Sequence, residues 1–186
     1  MIIINEDILK YNLKSLSDKN LVIFGNLPYN ISSQILAKLI NYPYSEFSYK
    51  KLVLMFQKEV ADRILAEDNS RNYGRLSIFS SWKLNIKKIM DINPSSFFPK
   101  PKVMSSLLIF EPKINYIKFK SSKNLEHVTN VFFNQRRKMI KKPLNILFKN
   151  SKKVIDDLNL DTNLRPQNLK KDTFYKICLI YEKLIN

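Results

Sequence analysis

Two short apolar runs, Leu21-Val-Ile-Phe24 and Leu52-Val-Leu-Met-Phe56, constrain the fold of this chain more than any other feature. Each has the length of a strand, and unbroken apolar runs of that length are typical of strands buried on both faces. Between them Ile31, Ile35, Leu36, Leu39 and Ile40 recur at helical spacing, with Ser32 and Ser33 available as N-caps and Pro43 just past the end. Glu59 to Ala66 reads as a second helix with Val60, Ile64 and Leu65 on its buried face. Strand, helix, strand, helix predicts an α/β unit with a largely parallel sheet. The only glycines among 186 residues are Gly25 and Gly74, which excludes a glycine-rich phosphate or nucleotide loop within the chain.

Beyond the polar stretch Asp68 to Asn72, Leu76 to Trp82 is expected to be helical. Ile86 to Ile92 and Val103 to Phe110 are expected to form a strand pair, joined by a loop holding Pro94, Pro99 and Pro101. From about Ser121 only helical stripes remain: Leu125, Val128, Val131 and Phe132; then Met139, Ile140, Leu144, Leu147 and Phe148; then Val154, Ile155 and Leu158; then Phe174, Ile177, Cys178 and Tyr181. The division predicted is an α/β domain over 1–112 and a small helical domain over 121–186.

Charge follows the same division. The net charge is +16, yet residues 1–111 carry 15 Lys and Arg against 10 Asp and Glu, whereas residues 112–186 carry 17 against 6. Its densest cluster is Arg136, Arg137, Lys138, Lys141 and Lys142, five cations in seven positions, read as a basic helical face. Such a run is either simply solvated or a contact for nucleic-acid phosphates. One Cys and one His exclude a disulfide framework and a Cys/His zinc cluster, so no metal is expected. Cys178, His127 and Trp82 are expected to be structural. No apolar run is long enough to span a bilayer, and the start Met-Ile-Ile-Ile-Asn-Glu-Asp lacks the basic lead of a signal peptide. A cytoplasmic protein without membrane contact is expected.

Asn26-Leu27-Pro28-Tyr29-Asn30-Ile31-Ser32-Ser33 stands directly after the first strand and before the first helix. In an open α/β sheet ligands bind at the carboxyl ends of strands. There an Asn side-chain carbonyl, a backbone carbonyl and a Tyr ring could accept both hydrogens of an exocyclic amino group and stack on its base. An isolated Asn-x-Pro would more simply cap the next helix.

The same eight residues resemble the catalytic motif of rRNA adenine N6-methyltransferases, above all the small-subunit rRNA adenine N6,N6-dimethyltransferase family. Phe56-Gln-Lys-Glu-Val60 with Arg63, Tyr73-Gly-Arg-Leu-Ser77, Pro94-Ser-Ser-Phe97 with Pro99-Lys-Pro-Lys-Val103, Phe133-Asn-Gln-Arg-Arg-Lys138 and Arg165-Pro-Gln-Asn-Leu169 agree in order and spacing. The resemblance implies part of a Rossmann-like class I methyltransferase sheet followed by a small all-helical domain. It implies S-adenosylmethionine-dependent dimethylation of adenine N6 in small-subunit rRNA during ribosome biogenesis. Asn26 and the Leu27 carbonyl would hold the amino group, with Pro28 shaping the turn. Tyr29 would stack on the flipped base, Phe97 would support its other face or edge, and Asp7 would contact the cofactor adenine beside Asn26. Read without the resemblance, Asp7 is a helix N-cap and Phe97 is core. The basic cluster would contact rRNA, within a pre-ribosomal subunit.

Family members carry a Gly-rich loop and an acidic ribose-binding residue upstream of the segment matching Asp7, and neither is found here. The chain is therefore expected to be a truncated member. Residues 1–5 would form an edge strand, Leu21 to Phe24 would have an open edge, and a complementing N-terminal polypeptide would be a partner. Two other readings are a non-catalytic rRNA-binding remnant and a large-subunit rRNA adenine N6-methyltransferase.

Overall fold

The computed structural model describes residues 3–16, 21–43, 45 and 47–185. Its described strands, β1 (Val22–Asn26), β2 (Lys51–Gln57), β3 (Leu84–Ile92) and β4 (Ser105–Pro112), form one sheet in the order β1-β2-β4-β3. Helix α1 (Ser32–Asn41) connects β1 to β2, α2 (Lys58–Leu65) and α3 (Arg75–Lys83) lead into β3, and α4 (Ser122–Asn134), α5 (Lys141–Leu147), α6 (Ser151–Asp157) and α7 (Lys171–Leu184) follow the sheet. The chain divides into two compact units, residues 1–62 with 83–114 and residues 63–82 with 115–186. The stretch 63–82, which holds α3 up to Trp82, clusters with the C-terminal helices, an arrangement absent from the linear division 1–112 and 121–186.

The sheet unit departs from the sequence reading in three ways. Only β1 and β2 pair in parallel, because the hairpin partners β3 and β4 enter antiparallel and β4 is the one that lies against β2. Of the two apolar runs only that of β2 is mostly buried, with Val53 half-buried. Leu52, Leu54, Met55 and Phe56 are in the core, whereas Val22 is 45% and Phe24 74% exposed, because β1 is the edge of the described sheet. Residues 3–5 lie outside any strand, and Met1 and Ile2 lie outside the described residues. Among the described residues β1 has one partner strand, β2, and its other side is unpaired.

Helix α1 buries Ile35, Leu36, Leu39 and Ile40, the stripe that its periodicity predicts. Its N-cap is Ile31, without a side-chain hydrogen bond, so neither Ser32 nor Ser33 occupies that position. Ser32 Oγ donates instead to the Tyr29 carbonyl at 3.1 Å. At the other end Lys83 Nζ donates to the Ile40 carbonyl at 2.9 Å, a cation near the negative pole of the helix. Burial of this ammonium lowers its pKa.

The helical unit is closed by aromatic packing and by buried polar groups with partners. Phe132 and Phe133 of α4 pack on Phe174 of α7 at ring separations of 5.3 and 5.7 Å. The Tyr73 hydroxyl donates to the Leu169 carbonyl at 2.9 Å and the Tyr175 hydroxyl to the Ile78 carbonyl at 2.8 Å, and burial pushes both phenols upward. Trp82 Nε1 donates to the Ile117 carbonyl at 2.6 Å, with Phe119 5.0 Å from its ring, which gives Trp82 the packing role expected of it. Cys178 is buried, and burial, with Glu182 next, pushes its thiol up to about 12, so it is inert as a nucleophile. His127 is exposed with its ring 5.5 Å from Tyr181.

Glu182 is 4% exposed and accepts from the Lys120 amide at 3.1 Å, the Ser121 amide at 3.3 Å and Asn124 Nδ2 at 2.7 Å. One carboxylate of α7 therefore satisfies backbone donors at the start of α4. Glu182→Ala leaves those part-buried donors without their carboxylate and is expected to cost about 1–2 kcal/mol. Glu182→Gln, which keeps a carbonyl acceptor, costs less. Urea unfolding of the two variants checks the order.

Candidate functional site

Asn26 ends β1 opposite Met55 of β2, at the carboxyl end of the parallel pair. The chain then turns at once: the Ile31 amide donates to the Pro28 carbonyl at 3.2 Å, and α1 begins at Ser32. Gly25, within β1, gives the Leu27 and Leu54 side chains room: a Cβ at this position would lie 2.8 Å from Cδ2 of each and would push those chain ends aside. Asn26 is exposed and Leu27 and Tyr29 are half-buried.

The Tyr29 hydroxyl meets Ser105 Oγ at 2.6 Å across 76 positions of sequence. Ser105, wholly buried, begins β4 and stands opposite Gln57 of β2 and Ile92 of β3, so the ends of all four strands meet around this bond. The next residue serves the other face: Ser106 Oγ donates to Asp91 Oδ1 at 2.6 Å, while Lys58 Nζ and Lys88 Nζ each sit 3.1 Å from Asp91 Oδ2. Lys58 also pairs with Asp62 at 3.5 Å. The Ser106 hydroxyl and then the two ammonium groups hold the Asp91 carboxyl well below the usual carboxylate range, and Asp91 in turn raises Lys58.

Phe97, half-buried, lies in the loop between β3 and β4, with its amide on the Pro94 carbonyl at 3.2 Å. Asp7 caps its own turn: Oδ1 accepts from the Leu9 amide at 2.9 Å, and its carbonyl accepts from the Lys10 and Tyr11 amides, both at 2.9 Å. Lys38 of α1 fastens this turn by donating to the carbonyls of Ile8 and Leu9, at 3.0 Å each, and of Tyr11, at 2.5 Å. Ile8, Tyr11, Phe24, Leu27, Pro28 and Leu54 help to line a mainly apolar cavity of about 300 Å³ beside the motif. Sequence reasoning does not reach Lys38, Ser105 or the Asp91 cluster. The signals they carry are indirect: Ser105 stands two positions beyond the Pro99 to Val103 stretch, and Lys58 of the Asp91 cluster lies within Phe56 to Val60.

The basic cluster is in the helical unit and is not a helix face. The Gln135 amide turns back to the Phe132 carbonyl at 3.1 Å, residues 135–140 are turns and irregular backbone, and α5 starts at Lys141. Pro143 explains the break, since it cannot donate within a continuing helix but is accepted in the first turn of a new one. Arg136 is taken up internally: Nε donates to Gln167 Oε1 at 3.3 Å and Nη2 to the Arg71 carbonyl. Arg137, Lys138, Lys141 and Lys142 are exposed. Among the described residues no group of three or more His, Cys, Asp or Glu could hold a metal ion, and no helix is long and apolar enough to cross a membrane.

The sequence profile described as ribosomal RNA adenine dimethylase matches residues 1–183. Ribosomal RNA small subunit methyltransferase A of Pelagibacter ubique (strain HTCC1062) is 59% identical over 182 residues, 98% of this chain and 70% of the relative. The protein of that name from Ehrlichia canis (strain Jake) is 39% identical over 92% of this chain and 64% of its own length, so the chain spans about two thirds of these relatives. Among solved structures, a dimethyladenosine transferase from Plasmodium falciparum superposes with a TM-score of 0.73 and 30% identity, covering 87% of this chain and 66% of that one. The 23S rRNA methyltransferase ErmE, at 15% identity and a TM-score of 0.65 over 97% of this chain and 71% of that one, shares the fold.

Because the folded pKa of Asp91 is depressed, its stabilising contribution is complete above the ordinary carboxylate range, near pH 4. It is lost as pH falls through that range toward the folded pKa. Asp91→Asn is therefore expected to be less stable than the parent chain at pH 6, with the gap narrowing as pH is lowered toward 2. Denaturant midpoints of both chains across this range test the sign.

Proposed function

The chain belongs to the ribosomal RNA adenine dimethylase family, and from this we propose that it serves the S-adenosylmethionine-dependent dimethylation of adenine N6 in small-subunit rRNA, during ribosome biogenesis in the cytoplasm. The observation that carries the reading is Asn26-Leu27-Pro28-Tyr29 at the carboxyl end of β1, with Tyr29 fixed on Ser105. Asn26 Oδ1 and the Leu27 carbonyl accept the two hydrogens of the adenine amino group. Its nitrogen lone pair is thereby turned out of the ring plane toward the incoming methyl group. Tyr29 stacks on the flipped base, and Phe97 supports it from the β3–β4 loop. S-adenosylmethionine, when bound, supplies a methyl group on a positively charged sulfur. Alignment by these residues does most of the catalysis, and no strong base is required.

The residues present fit the adenine end of that cofactor. The apolar cavity bordered by Ile8, Leu27 and Pro28 would accept a planar base, and Asp7, the residue before Ile8, is the acid this reading assigns to it. Neither glycine of this chain lies in a glycine-rich turn: Gly25 is within β1 and Gly74 stands just before α3. The open edge of β1, with Phe24 exposed, supports a complementing polypeptide that supplies the neighbouring strand and the remaining cofactor contacts. A pre-ribosomal subunit is the partner this reading implies, and Arg137, Lys138, Lys141 and Lys142 are the phosphate contacts it assigns to the helical unit.

Asn26→Ala is expected to lower methyl transfer to small-subunit rRNA by about a hundredfold or more, the scale of losing one positioned polar group, with RNA affinity nearly unchanged. The assay follows methyl incorporation with S-adenosylmethionine and any complementing polypeptide present, and near-normal turnover in the variant would sink the role of Asn26. Neutralising Arg137, Lys138, Lys141 and Lys142 together should weaken rRNA binding and flatten the slope of log K against log salt by about 0.7 to 0.9 for each phosphate that is no longer neutralised. An unchanged slope would mean that these four are merely solvated.

A further inference from the structure

The loop that joins β3 to β4, residues 93–104, exposes an aromatic ring that the fold does not use. Phe98 is 102% exposed, as open as a side chain without neighbours, and Val103 and Met104, further along the same loop, are 44% and 39% exposed. A phenyl ring wholly in water contributes nothing to folding and leaves both of its faces open to a ligand. Its setting is built. Asn93 Oδ1 accepts from the Ser95 amide at 3.0 Å, the Phe97 amide is held at 3.2 Å by the Pro94 carbonyl, and the Met104 carbonyl accepts from the Lys58 amide at 2.9 Å. Pro94, Pro99 and Pro101 restrict the backbone around these anchors.

The loop also stands where an unpaired base would be. It leaves β3 at Ile92 and enters β4 at Ser105, which face each other at the same end of the sheet as Asn26, and Ser105 holds Tyr29. Phe97 has extended backbone, with φ −122° and ψ 150°, so its side chain and that of Phe98 project to opposite sides: Phe97 is half-buried and Phe98 faces solvent. Residues 93–104 carry Lys100 and Lys102 and no acid.

We propose that Phe98 is a stacking platform for an unpaired nucleotide next to the target adenine, with Lys100 and Lys102 taking its phosphates. This rests on the reading of Asn26 to Tyr29 as an adenine site. Turning an adenine out of a stack leaves its neighbour with one bare face, and an exposed aromatic ring beside cations is the surface that covers such a face. A protein partner is disfavoured by the same features, since one ring followed by two lysines, with Val103 and Met104 only partly exposed, offers far less than the area a stable protein interface requires.

The test uses the full chain and a single-stranded RNA oligonucleotide with one adenine flanked by the fluorescent base 2-aminopurine. Binding of the parent chain should quench the flanking fluorophore. Phe98→Ala and Phe98→Leu should bind about 5- to 150-fold more weakly, the range for loss of one base–aromatic stack, and should lose the quench, while Phe98→Tyr restores both. The salt slope should be unchanged in Phe98→Ala and reduced, with the quench retained, when Lys100 and Lys102 are replaced by Gln. Because the ring is fully exposed, Phe98→Ala should melt like the parent chain. Parental affinity and quench in Phe98→Ala, or full rescue by leucine, would overturn the platform, and no binding of RNA by the parent chain would overturn both proposals. A parent chain that binds and quenches but transfers no methyl group, with any complementing polypeptide present, would overturn only the methyltransferase reading. Methyl transfer with Phe98→Ala indistinguishable from the parent would overturn only the platform.

Discussion

The 2.6 Å hydrogen bond between the hydroxyls of Tyr29 and Ser105 is the interaction on which the site depends. Without it the turn after β1 would be fastened only locally, by the Ile31 amide and Ser32 Oγ, and the Tyr29 ring would be free to rotate about its side-chain bonds. With it the ring is referred to β4, a strand paired on both sides along most of its length. Both hydroxyls can donate and accept, so the bond survives small shifts of either strand, which suits a ring that has to receive a base.

Ser105 can serve in this way because its neighbours fix the same end of the sheet from the opposite face. A strand alternates its side chains, so Ser105 and Ser106 necessarily project to opposite sides. Ser106 engages Asp91, and Asp91 gathers Lys58 and Lys88. Lys58 is the first residue of α2 and its amide also donates to the Met104 carbonyl. The end of β3, the start of β4 and the start of α2 are thus joined through one partly exposed carboxylate. Surface ion pairs are weak when isolated, but a carboxylate shared by a hydroxyl and two ammonium groups is held more firmly than any of the pairs alone.

What could be read in the sequence were the elements with a period and the motif with a name. The α1 stripe, the β3–β4 pair, the helical C-terminal part and the family resemblance all come from local pattern, and the structure and the relatives agree with them. The parallel sheet fails because strand order is decided by pairing between distant segments: β4 lies beside β2, and nothing in Leu107 to Phe110 announces the direction of its neighbour. The burial of β1 fails for the same reason, since Val22 and Phe24 are as apolar as a central strand requires while the described sheet ends at them. The basic helix fails at Pro143, whose meaning depends on whether it closes one helix or opens the next.

The cationic run shows why position in a fold, and not density in a sequence, separates structural from functional charge. Arg136 and Arg137 are adjacent and chemically identical, yet the guanidinium of Arg136 is spent on Gln167 and the Arg71 carbonyl, closing the turn after α4. An arginine holding a backbone carbonyl has donors already committed, and turning them to a phosphate would release the loop it holds. Arg137 carries no such tie among the bonds that fix this turn and is exposed. Phe97 and Phe98 repeat the distinction with aromatic rings: extended backbone sends one inward and the other outward, so two identical neighbours meet two different environments. In both pairs the backbone conformation assigns the role, and the side chain supplies only the chemistry.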